Sequence, residues 1–343
     1  MNRTRKAALL AAVMLSLIVA LAVAACGGGG GGGFGPVATE PAWVNTVEEK
    51  TATMHWLAQT NAMWTSNDFA GLDQITTGGM RAVYLAEKRQ ASLPSNASRQ
   101  GFRLDSLVIT IPCHTGSPGV FVAYGNTDVF TLGASVQPMA MVFQRVDGRW
   151  KLAAAVNHPD RGWPVLCTGG PPPAAPPVLA SADYAPELAR VLTHALTGAA
   201  ETAAAASPFA VNGFFAGDGS VNAQAARQAE RDRRGGVRLT GRFDPAAYPT
   251  LALPLAGGRG YWMIGVLTQR GHYTAAAGLH AGTWPDGNQV ATPRPAVVHA
   301  ETDTFLTTYT AIDPPRPAGG PVINGGRVTL DGFFGWPLTA VAS

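Results

Sequence analysis

The chain has 343 residues, 46% of them hydrophobic and 14% charged, with 25 Lys and Arg against 22 Asp and Glu. That content is ample for packed cores and too uncharged for a disordered chain. The three surplus cations are Arg3, Arg5 and Lys6, so the remainder carries 22 basic against 22 acidic side chains and lacks the basic footprint of a nucleic-acid binder.

Those three cations open the first predicted element. They form a positive n-region, Ala7 to Ala22 is an apolar run interrupted by Ser16, and Val23-Ala24-Ala25 leads into Cys26 and the glycines Gly27 to Gly33. Charge, a short apolar core and small residues before a cut predict a secretory signal peptide. A Cys directly behind the small residues resembles the lipobox of bacterial lipoproteins, with Val23 where that family more often has Leu. The resemblance implies cleavage before Cys26, a diacylglycerol on its thiol, an acyl chain such as palmitate on the new amine, and a body on the extracytoplasmic side of the cell membrane. The competing reading is an uncleaved transmembrane anchor. The apolar run of roughly 16 to 19 residues is near the lower limit for a ~30 Å hydrocarbon core, and a glycine tract makes a poor helix end. Read as a tether, the Gly-rich segment to about residue 40 reaches roughly 20 Å. Only four lysines occur beside abundant Ala, Gly, Pro and Arg, a bias resembling uncharacterised actinobacterial lipoproteins.

Some 318 mature residues suit two domains. The run Thr168 to Pro177 holds five prolines and predicts a semi-rigid spacer. The resulting division is signal peptide 1–25, lipidated Cys and tether 26–40, first domain 41–167, linker 168–177 and second domain 178–343.

In the first half Trp43, Val47, Met54, Leu57 or Ala58, and Trp64 recur at helical spacing and predict one inward apolar stripe. Asn67 or Asp68 can cap a short second helix carrying Phe69, Leu72 and Ile75, which Gly78-Gly79 ends. A third helix runs from about Met80 to Leu93. Phe102–Cys113 and Gly119–Asp128 are rich in Val, Ile, Phe and Tyr and predict strands, followed by strands Met139–Val146 and Arg149–Val156. Asp147-Gly148 between the last two has the chemistry of a tight hairpin turn. Cys113 and Cys167, the pair left after lipidation, read as one disulfide in an extracytoplasmic chain. No CxxC supports a reactive or metal-binding pair instead. The bond is expected to strengthen the first domain only.

The second half repeats that order. Tyr184, Leu188, Val191 or Leu192, and Ala195 predict a helix entered through Asp183 and Pro186. An Ala-rich stretch follows, then a helix from about Asn222 to Arg234. Val237–Phe243, Gly260–Ala277, Ala296–Ala311 and Arg327–Val341 read as strands. Gly257-Gly258-Arg259-Gly260 reads as a turn into a strand, because nothing helical follows to make a dinucleotide loop.

The helix from Trp43 to Trp64, the opening Asn67-Asp68-Phe69, and the hairpin Phe143 to Leu152 with its Trp150-Lys151-Leu152 ending resemble the nuclear-transport-factor-two-like cone superfamily over residues 43–158. The expected fold class is α+β: two domains, each with N-terminal helices packed on a curved, mainly antiparallel sheet, the second matching by element order alone. The resemblance implies a pocket between sheet and helices and, in some members, an Asp or Asp/His pair acting as catalyst.

Candidates for such chemistry are His55, Asp68, Asp73, Tyr84, His114 and His158. Each also has a plain structural reading: His55 borders the apolar stripe, Asp68 caps a helix, and His158 before Pro159 suits a loop. His272 and His280 share a strand face if that strand is continuous, although Gly278 and Gly282 argue for a turn. HExxH and the Gly-x-Ser-x-Gly elbow are absent from the sequence, and no third ligand is spaced to complete a zinc site. No catalytic residue, cofactor or metal is assigned. The expectation is a membrane-tethered, partner-binding or assembly module of the cell envelope. Its alternatives are a carrier of an apolar small molecule in a cone-shaped pocket and, third, a hydrolase or isomerase.

Overall fold

The computed structural model describes residues 47–91, 101–113, 119–129, 136–157, 163–168, 181–195, 200–210, 233–246, 250–280, 297–315 and 327–342, with a few isolated positions besides. The signal segment, Cys26 and the glycine tether, most of the Pro-rich run, His114, His158 and most of the helix expected at 222–234 lie outside the described residues. The fold is α+β, with helices on curved antiparallel sheets. Among the described residues, no helix is long and apolar enough to cross a membrane.

The first half supplies helices α1 (Val47–Ser66), α2 (Leu72–Ile75) and α3 (Gly79–Ala91), followed by strands β1 (Leu104–Thr110), β2 (Val120–Thr127), β3 (Gln137–Val146) and β4 (Arg149–Asn157). The strands pair antiparallel in the order β1-β2-β3-β4. Asp147 and Gly148 both take positive φ, 52° and 76°, the geometry of a type I′ turn that matches strand twist. β1 is an edge strand, and its register slips between Asp105 and Val108, where Ser106 sits at φ 56°. Such a bulge bends an edge away from unwanted pairing.

Strands β2 to β4 hold apolar runs because both of their faces are covered. Phe121, Ala123, Met139, Met141, Phe143 and Leu152 face the helices. Val122, Tyr124, Ala140, Val142, Ala154 and Val156 face the other way, onto the second half. A sheet with one wet face would alternate instead.

The second half supplies α4 (Ser181–Ala195), α5 (Ala200–Ala205), β5 (Val237–Pro245), β6 (Leu251–Pro254), β7 (Tyr261–His280), β8 (Val297–Asp313) and β9 (Thr329–Ala342). Its sheet runs β5-β7-β8-β9, with β6 beside the start of β7. The short β6 was not expected from sequence. Pro254 is its last residue, and the Gly257 to Gly260 turn returns the chain to β7, with Gly260 at φ 111° against the Asp313 carbonyl oxygen. An added Cβ at Gly260 would lie 2.1 Å from that oxygen, so this turn requires glycine.

One face of the second sheet carries α4 and α5 over Met263, Leu267, Tyr309 and Ala311. Its other face meets the first half in two places. Leu253, Trp262 and Ile264 pack on the outer side of the first sheet. Val266, Leu306 and Tyr248 close over the Gly78-Gly79 bend, where a Cβ on Gly79 would come within 3.0 Å of Leu306. Hydrophobic clusters therefore run across both halves.

The Cys113–Cys167 disulfide is present, with Cα atoms 5.3 Å apart. Its surroundings widen the expected consequence. Cys113 N–H donates to Cys167 O at 2.7 Å, Cys167 N–H to Pro254 O at 2.8 Å, and Ala256 N–H to Val165 O at 2.9 Å. The segment holding Cys167 is thus hydrogen-bonded to β6 as well as to Cys113 beyond the end of β1, which places the bond beside both halves rather than the first alone.

Candidate functional site

The first helix shows where sequence reasoning and packing part. α1 buries Glu49, Thr53, Trp56, Leu57, Thr60 and Met63. Val47 and Met54, placed by their spacing on the inward stripe, are 67% and 47% exposed instead, and Ala58 and Ala62 are exposed beside them. The helix is apolar on several sides, so periodicity alone could not select its buried face. Threonines tolerate burial here because their hydroxyls find partners: Thr53 donates to the Glu49 carbonyl at 2.9 Å, and Thr60 bonds the Tyr84 hydroxyl at 3.1 Å.

Behind that face aromatic side chains pack between helices and sheet. Trp56 meets Phe143 edge-on at 5.9 Å, Phe121 stacks on Phe143 at 4.7 Å, and Trp150 closes on Phe121 at 4.8 Å. Tyr84, fully buried, is the polar group at the centre. Burial pushes its phenol up most strongly, the Thr60 and Trp56 bonds oppose this, and the Glu87 charge adds to it. A phenol so placed stays protonated at neutral pH and can donate a hydrogen bond, but it does not act as a base.

The other expected residues do not join Tyr84. His55 is exposed on α1. Asp68 is exposed and accepts the Ala70 N–H at 2.9 Å, a local turn bond. It precedes the one-turn α2, whose N-cap is Gly71. Asp73 is exposed and pairs with Arg81. His272 is exposed, its Nδ1 3.0 Å from Thr302 Oγ1. β7 extends through His280, but its pairing with β8 slips between Thr274 and Leu279, with Gly278 at φ 67°. The regular pairing that the even spacing of His272 and His280 requires is therefore broken between them. Among the described residues, no three of His, Cys, Asp and Glu converge to hold a metal.

A second buried polar group was not anticipated. Tyr184 of α4 stacks on Tyr309 of β8, centroids 5.8 Å apart and planes 9° apart. Tyr309 bonds Thr250 at 2.8 Å. Its ring lies over Gly265, where a Cβ would stand 2.2 Å from the hydroxyl oxygen. Burial raises the Tyr184 phenol, and the Asp313 carboxylate and Tyr309 raise it further. Tyr261 is raised by burial and by the same Asp313. The signal available in sequence was Gly265 inside a strand, which marks a close approach by something else.

The remaining candidate is a surface. Arg238, Thr240, Arg242 and Asp244 alternate along β5, and in register they face Thr274, His272, Arg270 and Thr268 of β7. Thr302 and Thr304 of β8 continue the rows of His272 and Arg270. Arg238, Thr240, Arg242, Arg270, His272 and Thr302 are all exposed. Asp244 Oδ2 lies 3.0 Å from the Arg242 Nε and 3.9 Å from that of Arg270. The alternation in Val237 to Asp244 was readable as a half-buried strand, but the meeting of Arg242 with Arg270 depends on a register that sequence does not state. Compared with protein-family models, with curated proteins and with solved structures, the chain has no match.

Proposed function

We propose that the protein is a membrane-anchored, extracytoplasmic lipoprotein whose body is a non-catalytic partner-binding or assembly module of the cell envelope. The observation that carries this reading is the apolar side that the first helix leaves exposed, although it also buries Trp56, Leu57 and Met63. α1 turns Glu49, Thr53 and Thr60 inward and leaves Val47, Met54, Ala58 and Ala62 on solvent. An apolar stripe left outside, while Thr53 and Thr60 find hydrogen-bond partners inside, suits a docking helix. Trp56, Tyr84, Phe121 and Phe143 belong to one buried cluster between helices and sheet, which supports a binding surface over a cone-shaped pocket. The two buried tyrosine groups lie in packed cores, and their phenols are held in the protonated form.

Two substitutions separate the parts of this reading. Cys26→Ser should move the protein from the membrane fraction to the soluble one; retention in membranes would refute lipid anchoring. A photo-crosslinker at Val47 should give a discrete adduct in intact envelopes that Met54→Glu abolishes without changing the thermal midpoint. An adduct indifferent to Met54→Glu would remove the helix from the interface.

A further inference from the structure

The second sheet sorts its charges by face. On β8, Glu301, Asp303 and Asp313 are buried on the side away from the first half. On the opposite side, where the strands run past the first half, β5 and β7 present Arg238, Arg242, Arg270 and His272 to solvent. Among the described residues of that exposed area, Asp244 is the one carboxylate, and it serves both Arg242 and Arg270.

Arg242 and Arg270 are also direct cross-strand partners. Like charges opposite one another on a sheet are destabilising, and one half-buried Asp between two exposed guanidiniums compensates weakly. A soluble sheet face needs no such pair. Thr240, Thr302 and Thr304 fill the positions between the cations, so the area is hydroxyl-lined and positive, with short side chains between the guanidiniums. Their positive charge complements the negative charge of phosphate groups.

We propose that this face, built from Arg238, Arg242 and Arg270 with the intervening threonines, rests on the anionic phospholipid headgroups of the bilayer to which the chain is anchored. The occupant follows from charge complementarity and from proximity. The inference rests on the anchoring part of the reading above, in which a tether of roughly 20 Å holds the body beside a phosphate-rich surface. Confinement of that kind raises the effective concentration of headgroups, so a modest electrostatic contact is enough to orient the body. The α1 stripe would then remain available to another partner.

The test is co-flotation with vesicles of phosphatidylcholine alone and of phosphatidylcholine mixed with phosphatidylglycerol. Anchoring is read from the acylated chain on phosphatidylcholine. The headgroup contact is read from the mature chain carrying Cys26→Ser, as its preference for the mixed vesicles. That preference should fall about fivefold for each arginine replaced by Ala, or about a hundredfold for Arg238→Ala, Arg242→Ala and Arg270→Ala together, and it should fade at high salt. The corresponding triple Arg→Lys variant should keep it, because bilayer attraction reads charge. Equal flotation on both lipids, or a preference that survives the triple Ala variant, would overturn the proposal. Loss in the Lys variant would overturn it too, by pointing to a ligand that needs the planar fork. Failure of the acylated chain to float on phosphatidylcholine would count against the anchor alone.

Discussion

Along one face of β7, Trp262, Ile264 and Val266 lie in the interior, whereas Arg270 and His272, further along the same face, meet solvent. Strand, sheet and facing direction are common to the two regions. What differs is the neighbour: the first region has the outer side of the first sheet and the Gly78-Gly79 bend against it, the second has none among the described residues. Side-chain chemistry follows that difference, Trp and Ile where water is excluded, Arg, His and Thr where it is not. A long strand can thus serve as wall of a core at one end and as a presented surface at the other.

The comparison breaks if the two regions respond alike to substitution. Trp262→Ala should cost about 3–5 kcal/mol, read as a lower urea midpoint, while Thr240→Ala on the free region should stay within about 0.5 kcal/mol. Similar shifts would mean that the free region is covered. The disulfide tests the seam between the halves: Cys113→Ser with Cys167→Ser should cost about 4 kcal/mol by loop closure. Faster hydrogen exchange should then appear at the Ala256 amide, which bonds Val165. Loosening confined to β1 would confine the brace to the first half.

pH sharpens the same contrast on the covered side. Tyr84, Tyr124, Tyr184 and Tyr309 are all raised, burial being the first cause in each. In the unfolded chain their phenols ionise near the ordinary value of about 10. Because the folded values lie higher, their contribution is intact below that pH and is lost above it. The loss is about 1.4 kcal/mol per pH unit for each tyrosine. The tyrosinate absorbance of these four, over and above that of the chain's three other tyrosines, should rise together with unfolding; full ionisation well before it would show an open route to the buried rings. The smallest effect has the opposite sign. Arg270→Thr removes a like-charge pair and should raise stability by a few tenths of a kcal/mol, so a loss there would show that Arg270 is structurally engaged.

Much of the fold was legible. The four strands of the first half, the Asp147-Gly148 turn and the helices from Gly79 and Ser181 fall close to where their residue patterns place them, because turn chemistry and apolar runs act locally. The candidate sites were far less legible. Tyr84 was named, but its contact with Thr60 joins two helices, and the Tyr184–Tyr309 stack joins a helix to a strand distant in sequence. Val47 and Met54 were placed inward because a helix that is apolar on several sides gives periodicity no unique answer.

By itself the sequence determined the element order of the first half, the Asp147-Gly148 turn, the pairing of Cys113 with Cys167 and the α+β class. Those depend on backbone preference, alternation and residue count, which are properties of short stretches. Tertiary structure alone decided which side of α1 is buried, that the Cys167 segment also pairs with β6, that apolar clusters run across both halves, and that Arg242 stands opposite Arg270. Each of these is a matter of register or docking between segments far apart in the chain, and such contacts are selected by the burial they jointly achieve.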